Sequence, residues 1–180
     1  MAEVMENDVI QQDQDANNIE DLHLVFTIED EDYAINVSQV NDILKYTKLR
    51  RVPCAPGYVK GITNVRGDII PVVCVRSKFM KPDKEPDYET CIIKIPLVSV
   101  KSDAAKDDYV GLIVDKVVGC DKIHPANIKA PPNAKLSYAN QFIKAIGVMQ
   151  DKNDSGAEGD SATTPVGKVR MILDLEKLLY

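Results

Sequence analysis

The chain repeats itself. "GDIIPVVCVRSKF", starting at Gly67, lies without gaps on "GKVRMILDLEKLL", starting at Gly167. Apolar residues match at Ile69/Val169, Val72/Ile172, Val73/Leu173, Val75/Leu175 and Phe79/Leu179. Just upstream, "YVKGITN" from Tyr58 resembles "FIKAIGV" from Phe142. Looser echoes precede these: "AINVSQV" from Ala34 on "GLIVDKV" from Gly111, and "RVPCAP" from Arg51 on "IKAPPN" from Ile128. A repeat constrains the fold more than composition does, because each copy must supply one similar structural unit. Each half reads as strand, strand, short helical turn, proline-rich stretch and hairpin.

The unit is β-rich. From Leu22 onward the chain is a series of short runs dominated by Val and Ile and punctuated by Gly, Pro, Asp and Asn, the pattern of a barrel or sandwich. Regular alternation of strand and long helix is absent. The expected fold is all-β with short helices: two pseudo-equivalent lobes of five or so strands each. That size suits a small barrel, whose closure removes edge strands. The one amphipathic stretch, "NVSQVNDILKY", puts Val37, Val40, Ile43 and Leu44 on one face of a short helix. Between two lobes, such a stripe can bury one edge and offer the other to an incoming helix.

The copies differ in their hairpins. The first is tight from Ile62 to Gly67, whereas the second carries about sixteen more residues centred on "DKNDSGAEGDSATTP". Residues 151–165 are therefore expected to form a flexible insert without chemistry. "KPDKEPDYE" and "KSDAAKDD" are further polar connectors.

Charge is uneven. Residues 1–21 hold seven acids and no Lys or Arg, which leaves 21 acids against 22 bases in the remainder. This predicts a disordered acidic tail before a folded body over 22–180. A nearly neutral body without a basic stripe argues against nucleic acid as the main partner. The opening residues have neither a basic start nor an apolar core, so no secretory signal is expected, and no run reaches the length of a membrane-spanning helix. Cys54, Cys74, Cys91 and Cys120 are far apart and form no C-x-x-C pair. They read as buried, reduced thiols of a cytoplasmic protein.

Catalytic vocabulary is sparse. His23 and His124 have no ligand-spaced partners, so no zinc site is expected, and both read as surface or lobe-edge residues. "GITNVRG" lacks the Lys and the following helix of a phosphate loop, and there is no G-x-S-x-G elbow. No cofactor, no metal and no catalytic residue are assigned. What remains is surface recognition, and it centres on Arg66. Gly67 permits positive φ and so fixes where Arg66 projects from the hairpin tip. A guanidinium held there can make forked bonds to a carboxylate, its own or a partner's. Asp42 is the candidate internal partner.

"LVFTIEDEDYAINVSQVNDI", "VPCAPGYVKGITNVRGDIIPVVCVRSKF", "VGLIVDKVVG" and "VRMILDLEKLL" resemble the CheW family of bacterial chemotaxis adaptors. The resemblance covers Leu22 to Tyr180 apart from the insert. Its most specific part is P-x-Y-V-K-G-I-x-N-V-R-G-x-I-I-P-V. It implies two SH3-like five-stranded β-barrels packed on a shared hydrophobic core. It also implies a non-catalytic cytoplasmic coupler, recruited to membrane-associated arrays. The implied partners are the cytoplasmic hairpin tips of chemoreceptors, the regulatory domain of the histidine kinase CheA, and other CheW-like copies in array rings. No nucleic acid and no membrane insertion are implied.

Carried over by position, the receptor groove falls on Leu24, Val37, Val40, Ile43, Arg66, Val110 and Gly111. Asp42, Gly61 and Gly67 fall in supporting places, and Thr90, Cys91 and Ile92 on a further partner-contact strand. Kinase contacts fall on the outer barrel ends. Two departures stand out: Cys74 where the family pattern has Asp, and Asp42 where it has the longer Glu. The alternatives are a CheW-like scaffold for surface motility or development, and a small-ligand-binding barrel or enzyme.

Overall fold

The computed structural model describes residues 21–100, 108–131, 138–149 and 168–180. The insert at 151–165 and the acidic stretch 1–20 lie outside them. Eleven strands run β1 (Leu22–Ile28), β2 (Glu31–Asn36), β3 (Asp42–Lys45), β4 (Val59–Val65), β5 (Asp68–Cys74), β6 (Cys91–Pro96), β7 (Tyr109–Val114), β8 (Lys116–Lys122), β9 (Ile128–Lys129), β10 (Ile143–Met149) and β11 (Lys168–Leu173). Two short helices, α1 (Val75–Lys78) and α2 (Leu175–Leu179), follow β5 and β11.

The strands form two sheets, one of six in the order β8-β1-β2-β11-β10-β9 and one of five in the order β3-β6-β7-β5-β4. The sixth strand is the two-residue β9, which pairs with Ile146 and Gly147 of β10. Its counterpart in the other lobe is a single bridge, Arg50 to Ile62. The lobes are thus alike even where the strand count departs from five each.

The repeats do not map one to a lobe. β2 leads into β3 in the other sheet, and β7 leads into β8 in the first. The β1–β2 hairpin completes a lobe built otherwise from the second repeat, beside β11 in parallel at Ile172↔Ala34. The β6–β7 hairpin completes the first repeat's lobe, beside β5 in parallel at Val72↔Gly111. Each lobe therefore needs strands from both repeats.

Side-chain alternation distributes the core accordingly. Leu24, Phe26 and Ile28 of β1 join Ile93 and Ile95 of β6, Val73 of β5 and Leu175 and Leu178 of α2 in one cluster shared by both lobes. The intervening residues face inward to smaller clusters: Val72, Ile92 and Ile113 in the five-stranded lobe, and Val25, Ala34 and Ile172 in the other. Rings of Phe26, Tyr33, Phe79 and Phe142 run through the shared cluster with successive centroids 6.2, 5.0 and 5.6 Å apart. Such offset contacts add to simple area burial.

The expected amphipathic helix is not a helix. Asn36 caps a 3-10 turn over Val37–Gln39, its side chain accepting from the Ser38 amide at 2.9 Å. The chain then extends into β3. Val and Ile suit a strand, and β6 offers a ladder that so short an isolated helix cannot match. The Asn41 amide, for instance, donates to the Lys94 carbonyl at 2.8 Å.

Two further expectations are corrected. Cys54 and Cys120 are exposed, Cys91 is half-buried and only Cys74 is buried, all four as free thiols. His23 is buried, with Nδ1 donating to the Asp21 carbonyl at 2.9 Å. Asp21 is itself buried.

A polar clamp closes the lobe junction. Asp115 sits where the chain crosses from β7 to β8. It accepts from Arg76 Nε and Nη2 of α1, each at 2.7 Å, and from the Glu29 amide at 2.8 Å. Lys81 Nζ bridges Glu29 and Glu31 at 2.8 Å each, and the Tyr33 hydroxyl donates to Glu31. Burial pushes the Asp115 carboxyl up, but Arg76 and the Glu29 amide outweigh it and hold the group below the ordinary carboxylate value. Lys81, against the opposing effect of burial and with help from Tyr33, holds Glu31 low as well. Burial first, then Glu31, pushes the Tyr33 phenol up, so it stays protonated as the donor.

Two outcomes follow from this architecture. Phe79→Ala is expected to cost about 3–5 kcal/mol. Unfolding should remain one cooperative step, because neither lobe is complete without the other repeat. Coincident urea transitions by fluorescence and circular dichroism check this; two separated transitions contradict it. The second outcome concerns pH. Asp115 and Glu31 titrate lower folded than unfolded, so their contribution is complete above about pH 5 and is lost as pH falls through their lower folded values. Arg76→Met should flatten the dependence of the denaturant midpoint on pH in that acidic window.

Candidate functional site

β4 and β5 are joined by two residues, Arg66 and Gly67, at φ 52° and 103°. Positive φ at both centres is the type I′ turn, whose twist matches that of the flanking strands. The Asn64 side chain stabilises the turn by accepting from the Gly67 amide at 3.0 Å. Arg66 accepts the less favourable backbone because the turn demands it, and its side chain leaves the tip in one direction. Its Nη2 lies 3.1 Å from Asp42 Oδ2 at the start of β3. The other Asp42 oxygen accepts from the Ile43 amide at 2.9 Å, which orients the carboxylate. Short as the Asp side chain is, it reaches.

Exposure separates structure from recognition. The Arg66 side chain is 80% exposed and that of Asp42 24%. An ion pair so open to solvent is worth about 0–1 kcal/mol to the fold, but it leaves guanidinium donors free for a partner. The pair spans the seam between β3 and β4, the two outer strands of the five-stranded sheet. Beside it lies a groove of about 330 Å³ with Leu44, Val65 and Ile92 among its walls. Thr47 and Thr63 hydroxyls meet across it at 3.2 Å.

The other residues assigned from the resemblance divide in two. Ile43 is 41% exposed on the outer face of β3, and Val37 and Val40 are half-buried against the shared cluster. With Arg66 they form the accessible set. Leu24, Val110 and Gly111 do not belong to it. Leu24 and Val110 are buried in the shared cluster. A Cβ on Gly111, in β7, would come within 2.8 Å of Ile92 Cγ2. Strands paired on both sides and covered on both faces place these three beneath the surface.

Thr90 and Ile92 are buried too, and only Cys91 of that trio is half-exposed. Thr90 serves a local turn, its hydroxyl accepting from the Asp87 amide at 2.9 Å. Gly61 is required by close approach: a Cβ there would sit 2.4 Å from the Arg50 carbonyl oxygen. Cys74 packs in the apolar interior of the five-stranded lobe, where a carboxylate would need a partner.

Sequence reasoning passed over Lys94, a lone cation in the apolar run "CIIKIP" of β6, and Arg170, which ion-pairs with Asp32 and Asp121 in the other lobe. A charge inside an otherwise unbroken apolar strand was the available signal for Lys94. A second depression, of about 490 Å³ in the six-stranded lobe, includes Asp21, His23, Lys144 and Glu176 in its wall. Among the described residues, no group of three or more His, Cys, Asp or Glu is placed to hold a metal ion.

The two site glycines should differ in tolerance. Gly61→Ala is expected to destabilise more than Gly67→Ala, because the first meets rigid backbone while nothing lies within 4 Å of the second. Gly67→Ala carries only the strain of positive φ, on the order of 1 kcal/mol. Chemical denaturation of both variants checks the order.

Known proteins place this architecture. The family model described as CheW-like domain matches residues 22–180. The chain is 25% identical over 156 residues to the chemotaxis protein CheW of Klebsiella aerogenes, covering 87% of this chain and 80% of that one. It is 36% identical over 123 residues to the chemotaxis protein CheW of Bacillus subtilis, covering 68% and 74%. The crystal structure of the scaffolding protein TtCheW from Thermoanaerobacter tengcongensis superposes with a TM-score of 0.69 at 22% identity, over 91% of this chain and 90% of that one. With both lobes and the intervening crossovers inside the matched span, this chain belongs to the CheW-like domain family.

Proposed function

We propose that the chain is a non-catalytic adaptor that couples the cytoplasmic tips of chemoreceptors to the regulatory domain of the histidine kinase CheA. The observation that carries this reading is the Arg66–Asp42 pair, held at a rigid hairpin tip beside the exposed Ile43. A receptor tip is a helical hairpin. It can lay apolar side chains on Val37, Val40 and Ile43 and receive hydrogen bonds from Arg66. Leu24, Val110 and Gly111 would shape this surface from below rather than touch the partner.

Internal symmetry supports contacts at both outer ends. Ile69 and Val169 are equivalent by repeat and are 70% and 52% exposed on the outward faces of β5 and β11. Two matched apolar ends suit a protein that joins neighbours on either side, such as the kinase domain and further CheW-like copies. Weak individual contacts suffice when many are linked. Receptor state reaches the kinase only if the assembly binds the two receptor states with different affinity. Among the described residues no helix is long and apolar enough to cross a membrane. Placement at the membrane would then follow from the receptors, with the adaptor on their cytoplasmic side.

Titration with a soluble receptor-tip fragment tests the reading. Arg66→Ala should weaken affinity about tenfold, the scale of one or two charge-assisted hydrogen bonds. Arg66→Glu should weaken it further by facing Asp42 with a like charge. Ile43→Asp should weaken binding without loss of fold, because the side chain is already exposed. Wild-type affinity in all three would remove the receptor assignment.

A further inference from the structure

Lys94 is a charge in an apolar strand, and its side chain is only 6% exposed. Its Nζ lies 2.6 Å from Asp68 Oδ2 and 3.8 Å from the centroid of the Tyr109 ring. The carboxylate and the ring face both attract the cation. Sheet register puts Lys94 directly opposite Asp42 on β3. Asp68 opens β5 immediately after Arg66 and Gly67. One buried cation therefore holds both halves of the Arg66–Asp42 pair. Its backbone is laddered to the strand of the carboxylate, and its side chain holds the residue that closes the turn bearing the guanidinium.

The second lobe serves as an internal control. Val25 of β1 pairs with Ala34 of β2, which neighbours β11, as Lys94 of β6 pairs with Gly111 of β7, which neighbours β5. The equivalent place in the six-stranded lobe is thus filled by Val. Burying an ammonium costs desolvation that a Val does not incur. The six-stranded lobe does bury a cation, Arg170, but from β11 and against Asp32 and Asp121; at the register position of Lys94, beside the β4–β5 tip, only the lobe that carries Arg66 has one.

We infer that Lys94 is a positioning residue: by binding Asp68 it fixes the β4–β5 tip so that Arg66 pairs with Asp42 and faces the partner. Asp68 lies two residues beyond Arg66. Left free, its carboxylate would compete with Asp42 for the guanidinium. Lys94 occupies it and leaves Arg66 one intramolecular acceptor. The inference rests on Arg66 being a partner-contacting group, but the ordering of the tip is measurable in the free protein.

The test uses the full chain in solution. In Lys94→Met, which keeps length and removes charge, nitrogen-15 relaxation should show greater motion of the amides from Val65 to Asp68, with those of Ile70 and Ile93 unchanged. The Arg66 Nε–H signal should leave its wild-type position, as it should in Asp42→Ala, because both changes take the Asp42 carboxylate away from the guanidinium. Lys94→Arg should retain much of the wild-type signal. Asp68→Asn, at a half-exposed site, should reproduce the effect and decides the matter if Lys94→Met does not fold. Affinity for the receptor-tip fragment should fall about fivefold in Lys94→Met, with no further fall in an Arg66→Ala background. Unchanged tip amides and an unchanged Arg66 signal in the folded variants overturn the inference, as does a loss of affinity that simply adds to that of Arg66→Ala. If Arg66→Ala binds as wild type does, the receptor reading fails instead, and the relaxation data still decide whether Lys94 orders the tip.

Discussion

Exchange of hairpins between repeats is the constraint on which the rest of this structure depends. A small barrel with one short hydrophobic face inside has little apolar area to set against the entropy of ordering its chain. Here each lobe's interior cluster is small, and the larger cluster lies between the lobes. Strands β1, β6 and β7 are consequently buried on successive residues rather than alternate ones, since both of their faces are covered. Because β1–β2 and β6–β7 each complete the lobe of the other repeat, the interface is part of both folding units. The Arg76–Asp115–Glu29 clamp adds a polar lock at one crossing point, and its bidentate geometry fixes orientation more than it adds energy.

That division of labour frees the surface of the five-stranded lobe. Stability resides between the lobes, so the seam between β3 and β4 can carry groups that contribute little to folding. Arg66 and Asp42 lie there with most of the guanidinium in water. A pair so placed can be given up to a partner at small cost to the fold, whereas a buried pair could not. The apolar residues nearby are graded in the same way. Leu24 and Val110 hold the lobes together, Val37 and Val40 are shared between core and surface, and Ile43 belongs to the surface.

Much of this was legible in the residues. The alignment of Tyr58 on Phe142 and of Ala34 on Gly111 is the one that sheet register reproduces. Gly61 pairs with Val72 and Ala145 with Ile172, and both pairings follow the same irregularity in register. The Arg66–Gly67 turn and its Asp42 partner were readable because a two-residue hairpin has few backbone solutions. The exchange of hairpins was not readable. Repetition reveals equivalent units but is silent on which copy pairs with which. The stripe from Val37 to Leu44 misled because a 3.6-residue period over so few residues also fits a capped turn leading into a strand. Helix was abandoned there because β6 had an open edge to fill. Burial of Leu24, Val110 and Gly111 escaped notice because a residue matched by position to a binding groove can serve it from beneath.

Asp42 shows how local geometry lets a short carboxylate reach an arginine. A carboxylate one methylene shorter than Glu would lose contact with an arginine on a mobile tip. In this chain the tip is held by a turn with positive φ at both centres, the Asn64 cap and the Asp68–Lys94 pair, and the distance closes to 3.1 Å. Shortening the acid while anchoring the hairpin trades side-chain freedom for backbone definition. A shorter, better-held carboxylate loses less rotamer entropy on pairing and gives the guanidinium a narrower range of directions. The pair then acts less as a bond within the protein than as a pre-oriented donor offered outward. For an adaptor, whose output depends entirely on differences in affinity between partner states, a fixed donor converts a small shift of the partner into a change of binding energy more sharply than a mobile one.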